Sequence, residues 1–346
     1  MSDTRRLELS AGNAVDYLKR RGFLSADATA EARPLGGGVS NHVLAVSWDG
    51  GCVVVKQPLP NLAVEDDWPA DVERVHNEAA AARTYAAVIE ATSLEYAHVP
   101  DVVFEDETEN VVGVECVPGD APTWKEELLD GRVDVAVADE VGRVLGAVHD
   151  AAAGDDDVRA NFASKRPFDQ LRIDPYHRTT ARRHPDVADA IDAEIERVRS
   201  VERTLVHGDY SPKNVLVDRT GAAPEPWIID FEVAHWGDPA FDTAFLLNHL
   251  FIKSAYNREK QAAYLDAAFE FWRAYVDRVD WDVEAATVAE LGVLMLARVD
   301  GKSPVEYVDR EATANALRRT AKRTLTEGIE TLDGVATAIR EEARAR

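Results

Sequence analysis

Apolar and polar positions change period along the 346 residues. Between Ala32 and Gln57 short apolar runs are broken by Gly36-Gly37-Gly38 and Asp49-Gly50-Gly51, which predicts strands joined by turns, the second a hairpin. Two further apolar runs, Val99 to Phe104 and Val111 to Val117, complete an expected five-stranded sheet. Ser10 to Arg21, Asp71 to Ile89 and Val133 to Asp150 instead read as helices. After Asp242 the chain is almost wholly helical, over Phe241 to Ile252, Arg258 to Arg278, Val283 to Val299 and about Asp309 to Ala343. Phe168 to His184 follows no single period and is basic, with Arg172, Arg178, Arg182 and Arg183 in it. Strands first and helices later make an α+β chain, expected as residues 1–117 and 118–346.

Composition narrows the partners. The formal charge is −24, from 39 Lys plus Arg against 63 Asp plus Glu, which argues against nucleic acid or an anionic membrane. No apolar run approaches the roughly 20 residues that span a bilayer, and Met1 to Arg6 lack a signal-peptide core, so a cytoplasmic protein is expected. Lysine supplies only nine of the basic residues. An acidic, lysine-poor surface suits a halophilic cytosol, where salt shortens the Debye length to about 3 Å at 1 M; an ordinary acidic soluble protein is the alternative. Cys52 and Cys116 lie in predicted strands with no metal-ligand spacing and read as buried, reduced thiols.

The chemistry concentrates in His207-Gly208-Asp209-Tyr210-Ser211-Pro212-Lys213-Asn214 and in Trp227-Ile228-Ile229-Asp230-Phe231-Glu232. Apolar residues flank the first segment, so an acid and an amide stand five positions apart on a loop between short strands. The second runs from apolar residues into two carboxylates. Phosphoryl transfer needs one carboxylate to orient a hydroxyl and oxygen ligands to hold a metal on the phosphates. Asp209 suits the first task; Asn214 and Asp230, with Glu232, suit the second. Two carboxylates at a strand end could instead be surface charges, but an apolar strand running into Asp-x-Glu presents them at the end where active sites of such folds lie.

These residues resemble the aminoglycoside phosphotransferase and choline kinase family, whose catalytic loop is also His-Gly-Asp followed by an Asn. Gly237-Asp238-Pro239-Ala240-Phe241-Asp242 is similar to another of its segments, and Lys56 ends Cys52-Val53-Val54-Val55-Lys56 where the family has its phosphate-binding lysine. The resemblance spans about residues 33 to 305. It implies a bilobal, protein-kinase-like fold, with a small β-rich N-lobe and a larger, mostly helical C-lobe, and an ATP- and Mg2+-dependent kinase of a small-molecule acceptor. In that reading Asp209 is the base, and Asn214, Asp230 and Glu232 are metal ligands. Gly37, Gly38, Ser40 and Asn41 approach the phosphates, Glu78 holds Lys56, and backbone near Glu115 and Val117 meets adenine. Asp242 would receive amides of the catalytic loop, and His207 would brace it.

Lys56-Gln57-Pro58, Asp67-Trp68-Pro69, Arg74 and Glu78 are similar to methylthioribose kinases in particular, and imply a sugar-like acceptor. The Tyr210 to Asn214 stretch departs from that group, and of its substrate-binding arginine pair only Arg298 has a counterpart between Leu291 and Val299. Trp236, Arg178 and Arg298 are the acceptor-side candidates, and Arg182, Arg183 and Lys302 extend that basic set. An aminoglycoside, choline or other amino alcohol is the alternative acceptor, and a non-catalytic nucleotide-binding protein the alternative class. A monomer or a homodimer would serve either.

Overall fold

The computed structural model describes residues 7–344 apart from residues 37, 64–66 and 120, so the expectation for Gly37 lies outside the described residues. Strands β1 (Ala30–Pro34), β2 (Asn41–Trp48), β3 (Gly51–Pro58), β4 (Val102–Asp106) and β5 (Val111–Glu115) form one antiparallel sheet in the order β1-β2-β3-β5-β4. Successive residues of a strand face opposite sides. Val53 and Val55 therefore share a cluster with Tyr17 and Leu18 of helix α1 (Ala14–Arg21), whereas Val54 turns to Val75 and Ala79 of α2 (Arg74–Ala91). Lys56 has the parity of Val54, so the strand period alone delivers it to α2.

Cys52 and Cys116 are not reduced thiols. Pairing of Val53 with Glu115 at the end of the β3–β5 ladder brings the two together, with a Cα–Cα separation of 5.8 Å, and they form a disulfide. That register is a tertiary fact. Neither cysteine has a partner within its own stretch of sequence.

The remainder is mostly helical: α3 (Trp124–Leu129), α4 (Val135–Ala152), α5 (Asp156–Asn161), α6 (Arg166–Phe168), a π-helical segment (Asp169–Arg178), α7 (Thr179–Arg183) and α8 (Ala188–Ser200). Short strands β6 (Thr204–Val206), β7 (Val215–Asp218), β8 (Glu225–Ile228) and β9 (His235–Gly237) follow, and then α9 (Pro239–Tyr256), α10 (Gln261–Val276), α11 (Glu284–Asp300), α12 (Glu311–Thr326) and α13 (Leu332–Arg344). The single helix expected over Asp309 to Ala343 is two, parted at Gly328, whose φ of +70° is left-handed. The two strands flanking the loop from His207 to Asn214 belong to different ribbons, since β6 pairs with β9 and β7 with β8.

Helix α9 is the centre of this second part. It is buried along its whole length to Ala255, among apolar residues of α4, α10 and α11. A helix apolar on every side belongs in a core. Asp242, Asn248, His249 and Lys253 are among the buried polar residues that break this rule. Among the described residues no helix is long and apolar enough to cross a membrane.

Candidate active site

The loop from His207 to Asn214 turns at Gly208, where φ is +77° and an added Cβ would stand 2.7 Å from the Val233 carbonyl oxygen. Only glycine fits there. Asp242, in the first turn of α9, fastens the loop by accepting from the amides of His207 at 2.6 Å and Gly208 at 2.8 Å, as expected of it. His207 is buried, and burial holds its imidazole below the ordinary value, so it is neutral near pH 7. Its Nδ1 accepts from the Asp209 amide at 3.2 Å and its Nε2 faces the Ile229 carbonyl at 3.2 Å. It braces the loop rather than carrying protons.

Asp209 is buried, and both cations on it meet one oxygen. Arg172 Nη2 and Lys213 Nζ each lie 2.9 Å from Oδ2, leaving Oδ1 without a protein partner among the described residues. Burial would raise this carboxyl, but the Arg172 and Lys213 charges outweigh it and hold it below the usual carboxylate range. Arg172 is fixed in turn by donating to the Gly208 carbonyl at 2.7 Å and to the Leu171 carbonyl at 2.7 Å. It comes from the π-helical segment, whose period gave no warning of this contact.

Asn214 donates its amide to the Asp209 carbonyl at 2.9 Å, so its side-chain oxygen keeps no protein partner among the described residues. Asp230 sits past the end of β8 with a φ of +72°, a strained conformation for a residue with a Cβ and one that collects at functional sites. Lys56 reaches it at 3.2 Å while meeting Glu78 of α2 at 2.5 Å. Burial would raise Asp230, but Lys56 and Lys213 outweigh it and leave it strongly acidic. Burial, joined by the nearby Asp230, pushes Glu78 up to about 7 against the opposing pull of Lys56. Burial also acts to lower Lys56, but Glu78 and Asp230 more than reverse it, so the ammonium is retained.

Glu232 is held by Arg74 Nε at 2.8 Å and by Asn41 Nδ2 at 3.1 Å, both on Oε2, which leaves Oε1 for another partner. Arg74, almost fully buried, also donates to the carbonyls of Asp71 and Ser40 at 2.6 Å each. One guanidinium thus ties α2, the glycine-containing turn and the segment after β8 together. Gly38 lies open at that turn. Asn41 also donates to Ser40 Oγ at 3.2 Å. The donor set of Asn214, Asp230 and Glu232, oxygens of one amide and two carboxylates, fits a magnesium ion, which takes hard oxygen ligands.

At the expected adenine edge, the Glu115 amide is already donated to the Asp101 carbonyl at 2.8 Å, and Val117 is half-buried beyond the disulfide. On the acceptor side the candidates separate. Trp236 is buried in β9, its amide donating to the Phe162 carbonyl at 2.7 Å and its indole N–H without a partner. Arg298 bonds Tyr176 Oη at 3.1 Å, while Arg178 is half-buried with no side-chain hydrogen bond among the described residues. Arg182, Arg183 and Lys302 line a shallow cleft of about 330 Å³ with Asp67 and Thr179. Arg172, Lys213 and Arg74, which the geometry puts at the centre, were not among the site candidates. Lys213, four residues after Asp209, was the legible one.

The sequence pattern of the phosphotransferase enzyme family matches residues 31–281. A methylthioribose kinase of Bacillus cereus is 23% identical over 291 residues, 76% of this chain and 71% of that protein. Methylthioribose kinase 2 of Oryza sativa subsp. japonica is 25% identical over 278 residues, 70% of this chain but 62% of the rice protein, less than two thirds of its length. Among solved structures, an amicoumacin kinase bound to AMP-PNP, Ca2+ and its ligand shares the fold at a TM-score of 0.54 and 14% identity, over 92% of this chain and 95% of that one. A spectinomycin phosphotransferase bound to ADP and spectinomycin does so at 0.52 and 11%, over 97% and 100%. The expected bilobal, kinase-like α+β architecture is therefore the observed one, and with the family pattern covering well over half of its length, the chain belongs to the phosphotransferase enzyme family.

Proposed function

We propose that this phosphotransferase moves the γ-phosphoryl group of ATP to a hydroxyl of a sugar-like small molecule, with Asp209 as the base. The carrying observation is the state of Asp209: a buried carboxylate kept ionised, one oxygen clamped by Arg172 and Lys213 and the other free. The acceptor hydroxyl donates to Oδ1 and its oxygen attacks the γ-phosphorus. The bond from that phosphorus to the ADP oxygen breaks, and the proton passes to Asp209 and on to solvent. Lys56, steadied by Glu78, and backbone at Gly38, Ser40 and Asn41 hold the phosphates. Glu115 and Val117 border the adenine through their remaining backbone groups. Asn214, Asp230 and Oε1 of Glu232 would hold Mg2+, which neutralises charge on the phosphates when bound.

In this reading residues 1–117 carry the nucleotide and residues 118–346 the acceptor, in a cytoplasmic monomer or homodimer whose acidic surface is adapted to high salt. The named relatives favour a methylthioribose-like sugar over an aminoglycoside or choline. ADP release with MgATP and a panel of pentoses, thiopentose derivatives, aminoglycosides and choline tests this. Sugars are expected to show the highest kcat/KM. Efficient turnover of choline or an aminoglycoside, with every sugar inert, would overturn it.

A further inference from the structure

Lys253 is buried in the middle of the protein with no carboxylate against it. Its ammonium has one hydrogen-bond partner among the described residues, the neutral Tyr307 Oη at 3.3 Å, and lies 4.8 Å from that ring's centroid. A buried ammonium is costly to keep unless paired. The nearest acid acting on it, Glu306, is taken by Lys125 of α3. Across from it on α11, Arg298 is a second under-used cation. Its Nη1 bonds Tyr176 Oη, Ser303 Oγ and the Ser303 carbonyl, all neutral, while its Nε is buried without a partner.

These groups lie in the buried core next to the proposed active site, linked to it by a run of side-chain contacts. Phe245, His249 and Lys253 fall four residues apart on α9 and so make one stripe. At its upper end Arg172, the residue clamping Asp209, stands 5.5 Å from the Phe245 ring and 5.6 Å from the Tyr176 ring. Tyr176 is 5.9 Å from Phe245 and 5.7 Å from the Arg298 guanidinium carbon, and His249 is 5.8 Å from Phe245. The stripe runs from the Asp209 side down to Lys253 with no acid on the way among the described residues. Burial, then Lys125 and Arg298, push the Lys253 ammonium down to about 7, with Glu306 alone opposing them. Burial holds His249 low too, followed by the charges of Lys253, Arg298, Lys213 and Lys125. In a chain of net charge −24, this concentration of unpaired positive charge needs a reason.

We propose that the acceptor carries an acid group, a carboxylate or a phosphate, besides the hydroxyl it offers Asp209, and that Lys253 and Arg298, with His249 as a neutral donor, receive it. An anion here gives the ammonium and the free guanidinium N–H the charge-assisted bonds they lack. It also fixes the hydroxyl-bearing end of the molecule at Asp209. The assignment rests on the kinase reading above, and the test separates the two.

Ribose, ribonate and ribose 5-phosphate form a matched set: neutral, carboxylate and phosphate. ADP release should be faster for at least one acid-bearing member than for ribose, by about tenfold or more in kcat/KM. Which one it is assigns the acid. Lys253→Met and Arg298→Met, checked for native circular dichroism, should each raise its KM by about tenfold and collapse the preference over ribose, and Lys253→Arg should recover part of it. Turnover of ribose equal to both acids, or a preference that survives in a folded Lys253→Met protein, overturns the proposal. If nothing is phosphorylated, calorimetric titration of ribonate and ribose 5-phosphate into the MgATP-loaded protein decides. Binding lost in Lys253→Met upholds the anion site and counts against the kinase reading, and no binding of either acid removes the anion site.

Discussion

Asp209 owes its charge to two cations of different kinds. Lys213 is half-exposed, whereas Arg172 is buried and held by the Leu171 and Gly208 carbonyls. Arg172 is therefore the one expected to set the acid limb of the pH–rate profile. As the proposed base Asp209 has to be ionised, and its depressed carboxyl means that activity is expected to be lost only when pH falls through that low value. Removing the Arg172 charge lets burial raise the carboxyl, so the limb moves toward neutral pH. The expected outcome for Arg172→Met is a kcat/KM profile whose acid limb shifts upward by about one pH unit or more, since an adjacent opposite charge lowers a carboxyl by 1–3 units. An unmoved limb would remove Arg172 from this role. The contact was invisible in the sequence because it joins a segment without periodicity to a loop 37 residues away. His207, Gly208, Asp209 and Asn214 were legible because their roles are local, set by a turn and a spacing of five.

At the scale of elements, what could be read followed from period. Alternation along β3 put Val53 and Val55 on one face and Lys56 on the other, and the helical spacing of α2 put Glu78 within its reach. What could not be read was register between strands. Cys52 and Cys116 looked like separate thiols because nothing in either strand says that β5 lies against β3. The bond ties residues 64 apart, and closing a loop of that size is worth roughly 2–4 kcal/mol through the unfolded chain. Denatured protein is expected to show no thiol reactive toward Ellman's reagent, and reduction should lower Tm by several degrees without abolishing the fold. Two reactive thiols before reduction would mean the strands meet without the bond. The helix expected to run unbroken to Ala343 failed for a similar reason, since one glycine at 328 reads as tolerable until its left-handed φ is seen.

The whole molecule carries 63 acidic side chains against 39 Lys plus Arg, and the ion pairs on its surface are mostly exposed, where each contributes about 0–1 kcal/mol. They cannot offset the repulsion of a net −24, which salt screens. The protein is expected to keep its helical circular dichroism in molar KCl and lose it in dilute buffer. A cooperative melt at low salt would count against salt adaptation.

The same surface has to admit a polyanionic nucleotide, so the positive charge of Lys56, Arg172 and Lys213 is set inside, around Asp209 and Asp230. Phosphoryl transfer here depends most directly on Asp209 as the proposed base. Single-turnover phosphoryl transfer, measured with MgATP and the best acceptor, should fall by at least about a hundredfold in Asp209→Asn, the scale of a general base, with ATP affinity nearly unchanged. Transfer at the wild-type rate would contradict it.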